Sequence, residues 1–439
     1  GGAGGSGTTT YAIDQSIRFN DDDSAYMSKT PSASNRKTWT FSCWLKRGNL
    51  QASGYHTLFG RTAASNYAAI QMFNDDLEFT SASGSVEIDL ITDRKFRDPS
   101  AWYHIVVAQD TTQDVTSERV RIYVNGQRET SFSTATYPSK DFQGWINQAA
   151  VHEIGRAQPS GSPGRYLDGY LAEIVFIDGT ALDPSSFGEY NSSGIWIPKD
   201  VSGLTFGTNG FHIDGRDSSD LGDDESGNGN DYTTSGLASD DQKSDSPTNN
   251  HTTWNPLTTS AQAYSNGNLN SASSSSSWKG GLTTAQVPLN SGTWYYEIYV
   301  DSAGASSGQF SIGWAESNRS VSDDNSSGDT EGWVTYAING NYYANGGTGS
   351  YGATYTTGDV IGCKIDTDSS TNNVEFYKNG VSQGTISQAF NTGGTGFISP
   401  YILLYATRNG TARFAQAEWT QTPSGITEAN AINTTNLGS

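Results

Sequence analysis

Residues 38–46 read TWTFSCWLK, and this stretch decides the fold class. Alternation places on one face Trp39, Phe41, Cys43 and Leu45, and on the other Thr40, Ser42, Trp44 and Lys46. A period of two is typical of a β-strand that packs one face against a core. An alternating strand this rich in aromatic residues predicts an all-β protein built from layered antiparallel sheets, with few helices.

Neighbouring segments extend this pattern. Residues 102–108 form a nearly continuous apolar run, as expected of a central strand in a sandwich. Residues 120–124 alternate and end at Asn125-Gly126, and residues 374–377 run through Lys378 into Asn379-Gly380. An Asn-Gly pair after an alternating strand predicts a tight hairpin, because both turn residues need positive φ. The repeated order predicts two β-sandwiches of similar topology in tandem.

Composition divides the 439 residues into five predicted segments. These are a Gly-rich arm at 1–10, a β-domain at 11–200, an Asp-, Asn- and Gly-rich joint at 201–257, a second β-domain at 258–420, and a tail at 421–439. We expect the serine run at 271–277 to be a polar loop. The start, GGAGG without an initiator Met, predicts a trimmed precursor or an incomplete sequence. The arm then serves as a flexible tether or as an assembly strand.

Charge and cysteine content exclude several classes of function. The net charge of −21 argues against binding nucleic acid, whose phosphates need clustered Lys and Arg. Such acidity serves solubility, and it also supplies carboxylates for Ca²⁺. No apolar run approaches about 18 residues, so we predict no membrane span, and we identify no signal peptide. Cys43 and Cys363 lie in different halves and are predicted to be buried free thiols.

The first half resembles the laminin-G, pentraxin-like and concanavalin-like jelly roll. The resemblance covers most of residues 11–190 and rests on SIRFN at 16–20, TWTFSCW at 38–44, WYHIVV at 102–107, IYVNG at 122–126 and LDGYLAEI at 167–174. The second half resembles a SPRY domain. Its segments are WYYEI at 294–298, FSIGWA at 310–315, GDVIGC at 358–363, VEFYKNG at 374–380 and SPYI at 399–402. Both resemblances imply concanavalin-like antiparallel sandwiches.

The tandem order resembles a set of marine bacteriophage proteins. DESGNGND at 224–231 and SPTNN at 246–250 contribute to this likeness. It implies a non-enzymatic protein of the virion surface, such as a tail fibre or appendage, whose partners are other virion proteins and a host-surface glycan or receptor. We expect a homo-oligomer, with a trimer favoured. The alternatives are a capsid decoration or repeating subunit of an extracellular fibre, and a glycan hydrolase.

The hydrolase alternative depends on residues 87–92, EIDLIT, which resemble the E-x-D-x-x-E strand of laminarinases and lichenases. Glu87 and Asp89 would share a face of this strand. The third carboxylate is missing, because Thr92 stands at its position and Asp93 has the wrong parity. His104 alternates within an apolar strand and is predicted to be a core residue. The sequence also contains no nucleophile elbow, zinc spacing or phosphate loop.

Two clusters of oxygen-bearing side chains are candidates for a structural Ca²⁺. The first follows a predicted strand and contains Asp21 and Asp23. The second lies in the joint and contains Asp214, Asp217, Asp223, Asn228, Asn230 and Asp231, together with Asp220 and Asp224. Neither fits the spacing of an EF-hand. The competing interpretation is a set of Asx turns with solvated carboxylates.

Ligand contact would use aromatic side chains on loops, together with Asn and Asp. The candidates are Tyr55, Tyr67, Trp145, Trp278, Tyr342, Tyr343, Tyr351 and Tyr355. The last four belong to residues 339–355, a long stretch rich in Gly, Tyr and Asn that is expected to be a binding loop. Tyr- and Gly-rich loops give antibody paratopes adaptable contacts, which is the physical basis of this hypothesis. The competing interpretation is that each ring packs against the fold.

Overall fold

The computed structural model describes residues 11–438 apart from 49, 51–53, 62–65, 159–163, 259–261, 305–309, 322–331, 345–346, 369–370, 388–389 and 391–395. The predicted arm at 1–10 therefore lies outside the described residues. The chain divides into two compact units, with the boundary between Thr248 and Asn249. Arg47–Asn49 groups with the second unit.

The first unit is built from short and medium strands. They are β1 Ser16–Phe19, β2 Tyr26–Lys29, β3 Thr38–Arg47, β4 Tyr55–Arg61, β5 Asn66–Phe73, β6 Asp76–Ser83, β7 Val86–Lys95, β8 Trp102–Asp110, β9 Val120–Val124, β10 Gln127–Arg128, β11 Phe132–Thr136, β12 His152–Ile154, β13 Gly169–Asp178, β14 Gly188–Tyr190, β15 Trp196–Pro198, β16 Phe211–Ile213, β17 Thr233–Ser235 and β18 Gln242–Lys243. Short 3₁₀ turns lie at Thr116–Glu118, Pro184–Ser186 and Ser239–Asp241.

Two antiparallel sheets form the sandwich of the first unit. Sheet 1 has the order β10-β9-β8-β3-β13-β1-β18, with β16 also paired to β13. Sheet 2 has the order β11-β7-β6-β5-β4-β12-β2-β17. The alternation predicted for β3 is confirmed, because Trp39, Phe41, Cys43 and Leu45 all lie in the core between the sheets. The all-β, sandwich-type fold class is likewise confirmed.

The Asn-Gly hairpin predicted in each half is present. Asn125 and Gly126 have φ of 48° and 76° and join β9 to β10. Asn379 and Gly380 have φ of 49° and 79° and join two strands of the second unit, Asn373–Lys378 and Val381–Ser387. Positive φ at both positions turns the chain with the twist that the two flanking strands require.

The segment predicted to be a joint instead completes the first unit. Of its strands, β16 pairs with β13, β17 pairs with β2, and β18 pairs with β1. It therefore adds to both sheets, and the unit boundary lies at residue 248 rather than in a linker. The physical reason is that the open edges of β1, β2 and β13 need backbone partners, and short polar strands provide them. A composition rich in Asp, Asn and Gly concealed these strands.

The outer side of sheet 1 is covered as well as its inner side. Val106, Val175 and Ile177 pack there against the segment that contains Phe187, Val201 and Phe206. Trp44 and Tyr170 pack there beside the partly buried ring of Trp196. The face of β3 that the sequence left unassigned is thus buried as well.

A buried ion pair holds the last residues of the first unit, 241–245, against the outer side of sheet 1. Lys46, fully buried, donates through Nζ to Asp245 Oδ2 at 2.7 Å, and Trp102 Nε1 donates to Asp245 Oδ1 at 3.2 Å. Ser16 Oγ donates to the backbone oxygen of Asp245 at 2.6 Å. Arg18 adds a second ion pair, with Asp241, at 2.6 Å. Residues 241–245 are therefore held by charged groups that water does not reach.

The second unit is also a sandwich. Its strands are β19 Ala263–Ser265, β20 Asn270–Ser273, β21 Lys279–Leu282, β22 Val287–Pro288, β23 Thr293–Ser302, β24 Phe310–Glu316, β25 Trp333–Ala337, β26 Asn341–Ala344, β27 Gly347–Ser350, β28 Val360–Asp366, β29 Asn373–Lys378, β30 Val381–Ser387, β31 Phe397–Leu404 and β32 Arg408–Arg413. Sheet 3 has the order β19-β20-β32-β23-β28-β29-β30, and sheet 4 has the order β21-β31-β24-β25-β26-β27, with β22 paired to β31.

The C-terminal segment belongs to the body of the second unit. It contains 3₁₀ turns at Gln416–Glu418 and Glu428–Asn430 and one helix, α1, at Thr434–Leu437. Buried Glu297 of β23 accepts hydrogen bonds from the backbone N–H groups of Thr420 (2.9 Å) and Gln421 (3.0 Å). Ile432 lies in the core. The serine run predicted to be wholly a loop begins inside β20, whose backbone pairs with β32.

Both cysteines are free and buried, as the sequence predicts. Burial raises the pKa of the Cys43 and Cys363 thiols. None of the helices in the described part of the chain has the length and hydrophobicity for a membrane crossing.

We expect Asp245→Asn to destabilise the first unit by about 3–5 kcal/mol, because the buried Lys46 ammonium would lose its counter-charge. Denaturant unfolding followed by intrinsic fluorescence measures this effect on the transition of that unit. Asp114→Asn is the matched control, since Asp114 pairs with Lys140 at the surface. A change below about 1 kcal/mol for Asp245→Asn would contradict the role of this pair.

Candidate functional site

The outer side of sheet 2 carries a row of interacting aromatic, amide and charged side chains. We call this set the outer row, and it comprises Tyr55, Tyr67, Gln71, Glu78, Asp89 and Arg165. The first five lie on β4, β5, β6 and β7, at positions whose neighbours point into the core, for example Ile70, Leu77 and Leu90. Arg165 comes from the segment before β13, which crosses β4 through a hydrogen bond from Thr57 N to the Arg165 oxygen at 3.0 Å.

Direct contacts link the groups of the outer row. The Arg165 guanidinium lies 3.8 Å from the centroid of the Tyr55 ring, and that ring stacks on Phe73 at 4.6 Å. Arg165 Nη1 donates to Gln71 Oε1 at 3.0 Å, and Gln71 Nε2 donates to Glu78 Oε2 at 2.7 Å. Gln71 is fully buried, whereas Tyr55 is half-exposed. The amide end of the outer row is therefore buried and fixed by hydrogen bonds, whereas the Tyr55 ring at its other end is accessible.

Glu78 and Asp89 form a carboxyl pair at the other end of the outer row. Burial, the largest cause, and the nearby carboxylate of Asp89 together raise the pKa of Glu78 to about 7, although the hydrogen bond from Gln71 lowers it. Burial also raises the pKa of Asp89, whereas its interaction with Glu78 lowers it.

The predicted pairing of Glu87 with Asp89 on one face is wrong. The register of β6 and β7 shifts between Ser81, opposite Ile88, and Ala82, opposite Val86, so Glu87 is the extra residue of a β-bulge. A bulge redirects the side chain that it inserts. Glu87 accepts a hydrogen bond from Trp145 Nε1 at 2.9 Å. Asp89 instead lies near the carboxyl group of Glu78. The two carboxylates of the EIDLIT strand thus lie in different environments.

The second-unit tyrosines do not share one binding surface. The structure corrects the prediction that Tyr355 contacts a ligand, because its side chain is only 3% exposed. Its hydroxyl lies within hydrogen-bond distance of the backbone oxygens of Phe310 (2.9 Å) and Tyr336 (3.0 Å). Tyr351 donates to the Gly384 oxygen and accepts from Phe376 N at 3.1 Å, which ties β27 to sheet 3. Tyr342 packs on the same core from β26. These rings serve mainly as packing.

Tyr343 and Trp278 lie on the opposite, outer side of sheet 4. Both rings are partly buried against a cluster that includes Trp333 and Tyr401. The Arg319 guanidinium covers that cluster at 4.4 Å from the Trp333 ring centroid. Parity explains the division, because Tyr342 and Tyr343 are consecutive residues of one strand and point to opposite faces. The predicted aromatic loop is therefore split between two sides of a sheet.

The joint segment uses its acidic and amide side chains to fold its own loop. Buried Asp224 accepts hydrogen bonds from the N–H groups of His212 (2.8 Å), Ser226 (2.9 Å) and Asn230 (2.7 Å). The amides of Asn228 and Asn230 both donate to the Gly210 oxygen at 2.9 Å. Asp231 Oδ1 accepts from Asp224 N at 3.2 Å. This agrees with the Asx-turn interpretation for this part of the segment.

The remaining candidate calcium ligands of the joint also have protein partners nearby. Asp214 accepts from Arg216 N at 2.9 Å, and Asp217 accepts from Ser219 N at 2.8 Å. Burial, followed by the carboxylates of Asp231 and Asp220, raises the pKa of Asp223. Across the described residues, no three His, Cys, Asp or Glu side chains are grouped so that they hold a metal ion.

The first predicted calcium cluster forms a tight turn after β1. Asn20 Nδ2 donates to Asp23 Oδ2 at 2.7 Å, and Ser24 has a φ of 56°. Burial and the neighbouring Asp22 carboxylate raise the pKa of Asp21. Bringing carboxylates together in this way suits a cation, because a cation would offset their repulsion. Calcium at Asp21 and Asp23 stays a prediction.

His104 is the buried core residue that its position in β8 predicts. Trp196 Nε1 donates to His104 Nδ1 at 3.0 Å, so the proton of the neutral ring lies on Nε2, 2.9 Å from Ser42 Oγ. His104 therefore cannot accept the proton of Ser42. Burial lowers the pKa of His104 to about 3, which keeps the ring neutral. This Ser–His contact is not a nucleophile–base pair.

Sequence reasoning identified Tyr55 and Tyr67 but missed the groups that surround them. Gln71, Glu78 and Arg165 carry no motif, and each is an ordinary polar residue in its segment. A usable signal was the parity of β5 and β6, which places Gln71 and Glu78 on the side away from Ile70 and Leu77. Arg165 could not be assigned, because its position depends on how the chain crosses sheet 2.

Comparisons with known families agree with this architecture. The family model of the concanavalin A-like lectin/glucanases superfamily matches residues 20–185, and that of the SPRY domain matches residues 293–417. The first unit therefore contains a laminin-G-like, concanavalin-like domain and the second a SPRY domain, as the sequence resemblances predict. The E3 ubiquitin-protein ligase RKP of Arabidopsis thaliana is 32% identical over 108 residues, which are 24% of this chain. The chain spans 8% of the length of that relative.

Solved structures show similarity at low sequence identity. The SPRY domain of human HERC1 is 19% identical, with 36% of this chain and 96% of that chain covered and a TM-score of 0.30. A heptameric SAP-like pentraxin from Limulus polyphemus is 16% identical, covering 39% and 78%, with a TM-score of 0.30. Domain 4 of an extracellular arabinanase from Geobacillus stearothermophilus, solved with arabinotriose, is 20% identical, covering 34% and 65%, with a TM-score of 0.26.

We expect the free energy of unfolding of the first unit to contain a term from Glu78 that falls as pH rises. The unfolded carboxyl loses its proton near its ordinary pKa of 4.5, whereas the folded one keeps it to about 7. The contribution of Glu78 to stability is therefore full below pH 4.5 and is lost between pH 4.5 and 7, by about 3 kcal/mol. Denaturant unfolding of Glu78→Gln and the parent protein across this range measures the difference.

Glu189→Gln, at an exposed position of β14, is the control for the loss of one carboxylate. It should leave the pH dependence of unfolding unchanged. Equal pH slopes for Glu78→Gln and the parent protein would contradict the raised pKa of Glu78.

Proposed function

We propose that this protein is a non-enzymatic surface protein of a marine bacteriophage virion, a tail fibre or appendage, that binds a host-surface glycan or protein. The observation that carries the proposal is the outer row of the laminin-G-like domain, where an accessible tyrosine is fixed beside arginine, amide and carboxyl groups. SPRY and laminin-G-like domains are mostly binding modules, and this supports the same conclusion. The tandem order of the two domains supports the bacteriophage origin.

The chemistry of the outer row fits recognition of a hydroxylated ligand. A tyrosine ring offers apolar contact to the C–H face of a sugar, while amide and carboxyl groups exchange hydrogen bonds with hydroxyls. Arg165 holds the Tyr55 ring from one side and Phe73 holds it from the other. Because these groups are already fixed by one another, little side-chain entropy is lost when a ligand binds.

The assignment as a non-enzyme is supported by how the reactive residue types are used. Burial raises the pKa of Glu78 to about 7, so this carboxyl group is not a fully ionised nucleophile near neutral pH. The neutral ring of His104 carries its proton toward Ser42 and cannot activate that hydroxyl. Both thiols are buried and have raised pKa values, which keeps them protonated.

The same proposal includes assembly and calcium. We propose a homo-oligomer, with a trimer favoured, that contacts other virion proteins and is located on the virion surface. A structural Ca²⁺ at the turn of Asp21 and Asp23 would lie near the edge of sheet 1, where β1 ends. Its role would be to fix the turn and not to carry out chemistry.

We expect the full chain to bind at least one saccharide or surface extract of its host, and Tyr55→Ala to weaken that binding about tenfold by removing the accessible ring. Binding to a glycan array and to host cells, with Ca²⁺ and with a chelator, measures this. Tyr190→Ala is the matched control, because Tyr190 is an exposed ring of the same unit outside the outer row.

Absence of binding to every host saccharide, protein extract and intact cell would contradict the recognition role. Counting copies per particle then tests the alternative, since hundreds of copies indicate a capsid decoration or a fibre subunit, whereas a few trimers indicate a tail fibre. Release of reducing sugar from a bound glycan, abolished by Glu78→Gln, would instead identify a hydrolase.

A further inference from the structure

The outer side of sheet 1 holds three hydrogen-bonded polar side chains that are separate from the outer row. Tyr11 donates through its hydroxyl to Glu173 Oε1 at 3.0 Å. His212 Nε2, in β16, donates to the other carboxylate oxygen, Glu173 Oε2, at 2.9 Å. Glu173 and His212 are buried, whereas Tyr11 is half-buried. We call these three residues the Glu173 network, and its one carboxylate joins the N-terminal segment to β16.

Glu173 reaches this position because it interrupts the alternation of β13. Leu171 and Ile174 both lie in the core, although a period of two would place them on opposite faces. Between them Glu173 has a φ of 48°, a left-handed conformation that residues with a side chain rarely adopt. The strand pairs with β1 before this residue and with β16 after it. The fold therefore holds an uncommon backbone conformation at the residue whose carboxylate contacts both Tyr11 and His212.

Few other contacts hold the N-terminal segment beside Tyr11. Ile13 N donates to Thr248 Oγ1 at 3.1 Å, and Thr248 Oγ1 donates to the Ile13 oxygen at 2.7 Å. The Ile13 side chain is buried in the cluster on the outer side of sheet 1 that contains Trp44 and Tyr170. Residues 11–15 lie outside the strands, so no ladder of backbone hydrogen bonds reinforces these contacts. The attachment of this segment should therefore respond to the loss of a single interaction.

Acidic groups from several segments surround the imidazole of His212. Burial by itself lowers the pKa of His212, but the hydrogen bond and the charge of Glu173, followed by the charge of Asp214, outweigh burial and raise it. Arg216 opposes this increase, although its side chain is 59% exposed and pairs with Asp214. Burial, followed by the charge of Glu173, raises the pKa of Tyr11, so its hydroxyl stays protonated and remains a donor. The charged and titratable groups that face His212 are Glu173 on β13, Asp214 and Arg216 after β16, Tyr11, Asp200, and Asp224 and Glu225, which hydrogen-bond its backbone.

We infer that the Glu173 network is a proton-controlled attachment, which holds residues 11–13 against sheet 1 while His212 is protonated and releases them as it loses its proton. Protonated His212 and Glu173 form a net-neutral pair, which Tyr11 covers at little cost. When His212 is neutral, Glu173 is a buried charge without its nearest counter-charge, and hydration of the carboxylate favours the departure of Tyr11. Because the attached state binds this proton more tightly, attachment is full below the ordinary pKa of 6.5 and weakens as pH rises above it.

The consequence concerns the Gly-rich arm at 1–10, which is continuous in sequence with residues 11–13. The pH then sets how much of the N-terminal segment is free to serve as the tether or assembly strand that its composition predicts. The inference concerns a different face of the first unit from the outer row, and it does not depend on ligand binding.

Hydrogen exchange of the full chain between about pH 5.5 and 8.5, the range in which histidine titrates, tests this attachment. The readout is the protection factor of the Ile13 amide, corrected for the intrinsic exchange rate at each pH. We expect it to fall by about threefold or more as pH rises through this range. The amide of Val107, in the centre of sheet 1, is the internal reference. Its protection should exceed that of Ile13 at every pH, which shows that Ile13 reports local release and not unfolding of the unit.

Three variants separate the Glu173 network from ordinary packing. His212→Gln keeps a donor for Glu173 but does not titrate, so it should make the protection of Ile13 independent of pH over this range. Tyr11→Phe removes the hydroxyl and should lower the protection at acidic pH toward the value that the parent protein shows at high pH. Tyr190→Phe is the matched control, because it removes an exposed hydroxyl of the same unit and should leave the pH profile unchanged. Thermal unfolding of each variant confirms that the first unit is folded.

Two results would overturn the inference. One is protection of Ile13 that does not change with pH in the parent protein, and the other is an unchanged pH dependence in His212→Gln. The first result needs no variant, so it decides the question even if His212→Gln does not fold. Neither measurement uses a ligand, so both results are distinct from a failure of the proposed host recognition.

Discussion

The first unit depends on burying both sides of the sheet that contains β3. Its inner side packs Trp39, Phe41 and Leu45 between the sheets, which any sandwich requires. Its outer side carries Trp44 and the fully buried Lys46, which cannot remain uncovered or unpaired. The chain satisfies this constraint by folding residues 187–206 over the sheet and by bringing Asp245 to Lys46. The segment rich in Asp and Asn is therefore part of the domain.

Covering sheet 1 leaves sheet 2 as the side of this unit that presents side chains to solvent. Recognition groups are accordingly found on its outer surface, in the row from Tyr55 to Asp89. The β-bulge of β7 then separates two carboxylates that are close in sequence. One of them, Asp89, lies near Glu78, and the other, Glu87, accepts a hydrogen bond from Trp145 Nε1. A single inserted residue thus places the two carboxylates of one strand in different environments.

Neighbouring side chains hold the polar groups of the outer row in place, because Gln71 accepts from Arg165 and donates to Glu78. Fixed groups that keep donors or rings accessible bind ligands at a low entropic cost. In the SPRY domain, by contrast, the tyrosines predicted to form a binding loop mostly pack against the core.

The sequence by itself determined the fold class and both Asn-Gly hairpins, which follow from local rules, because alternation sets the faces of a strand and positive φ sets the turn. The tandem of laminin-G-like and SPRY domains was indicated by the resemblance of particular segments to those families. It also identified Tyr55 and Trp145 as candidate contact residues. Only the tertiary structure decided that Arg165 lies over Tyr55, that Glu78 meets Asp89, that Arg61 lies beside Trp145, and that Tyr355 is buried. Each of these depends on strand register, a bulge or a long-range crossing, and no spacing along the chain encodes them.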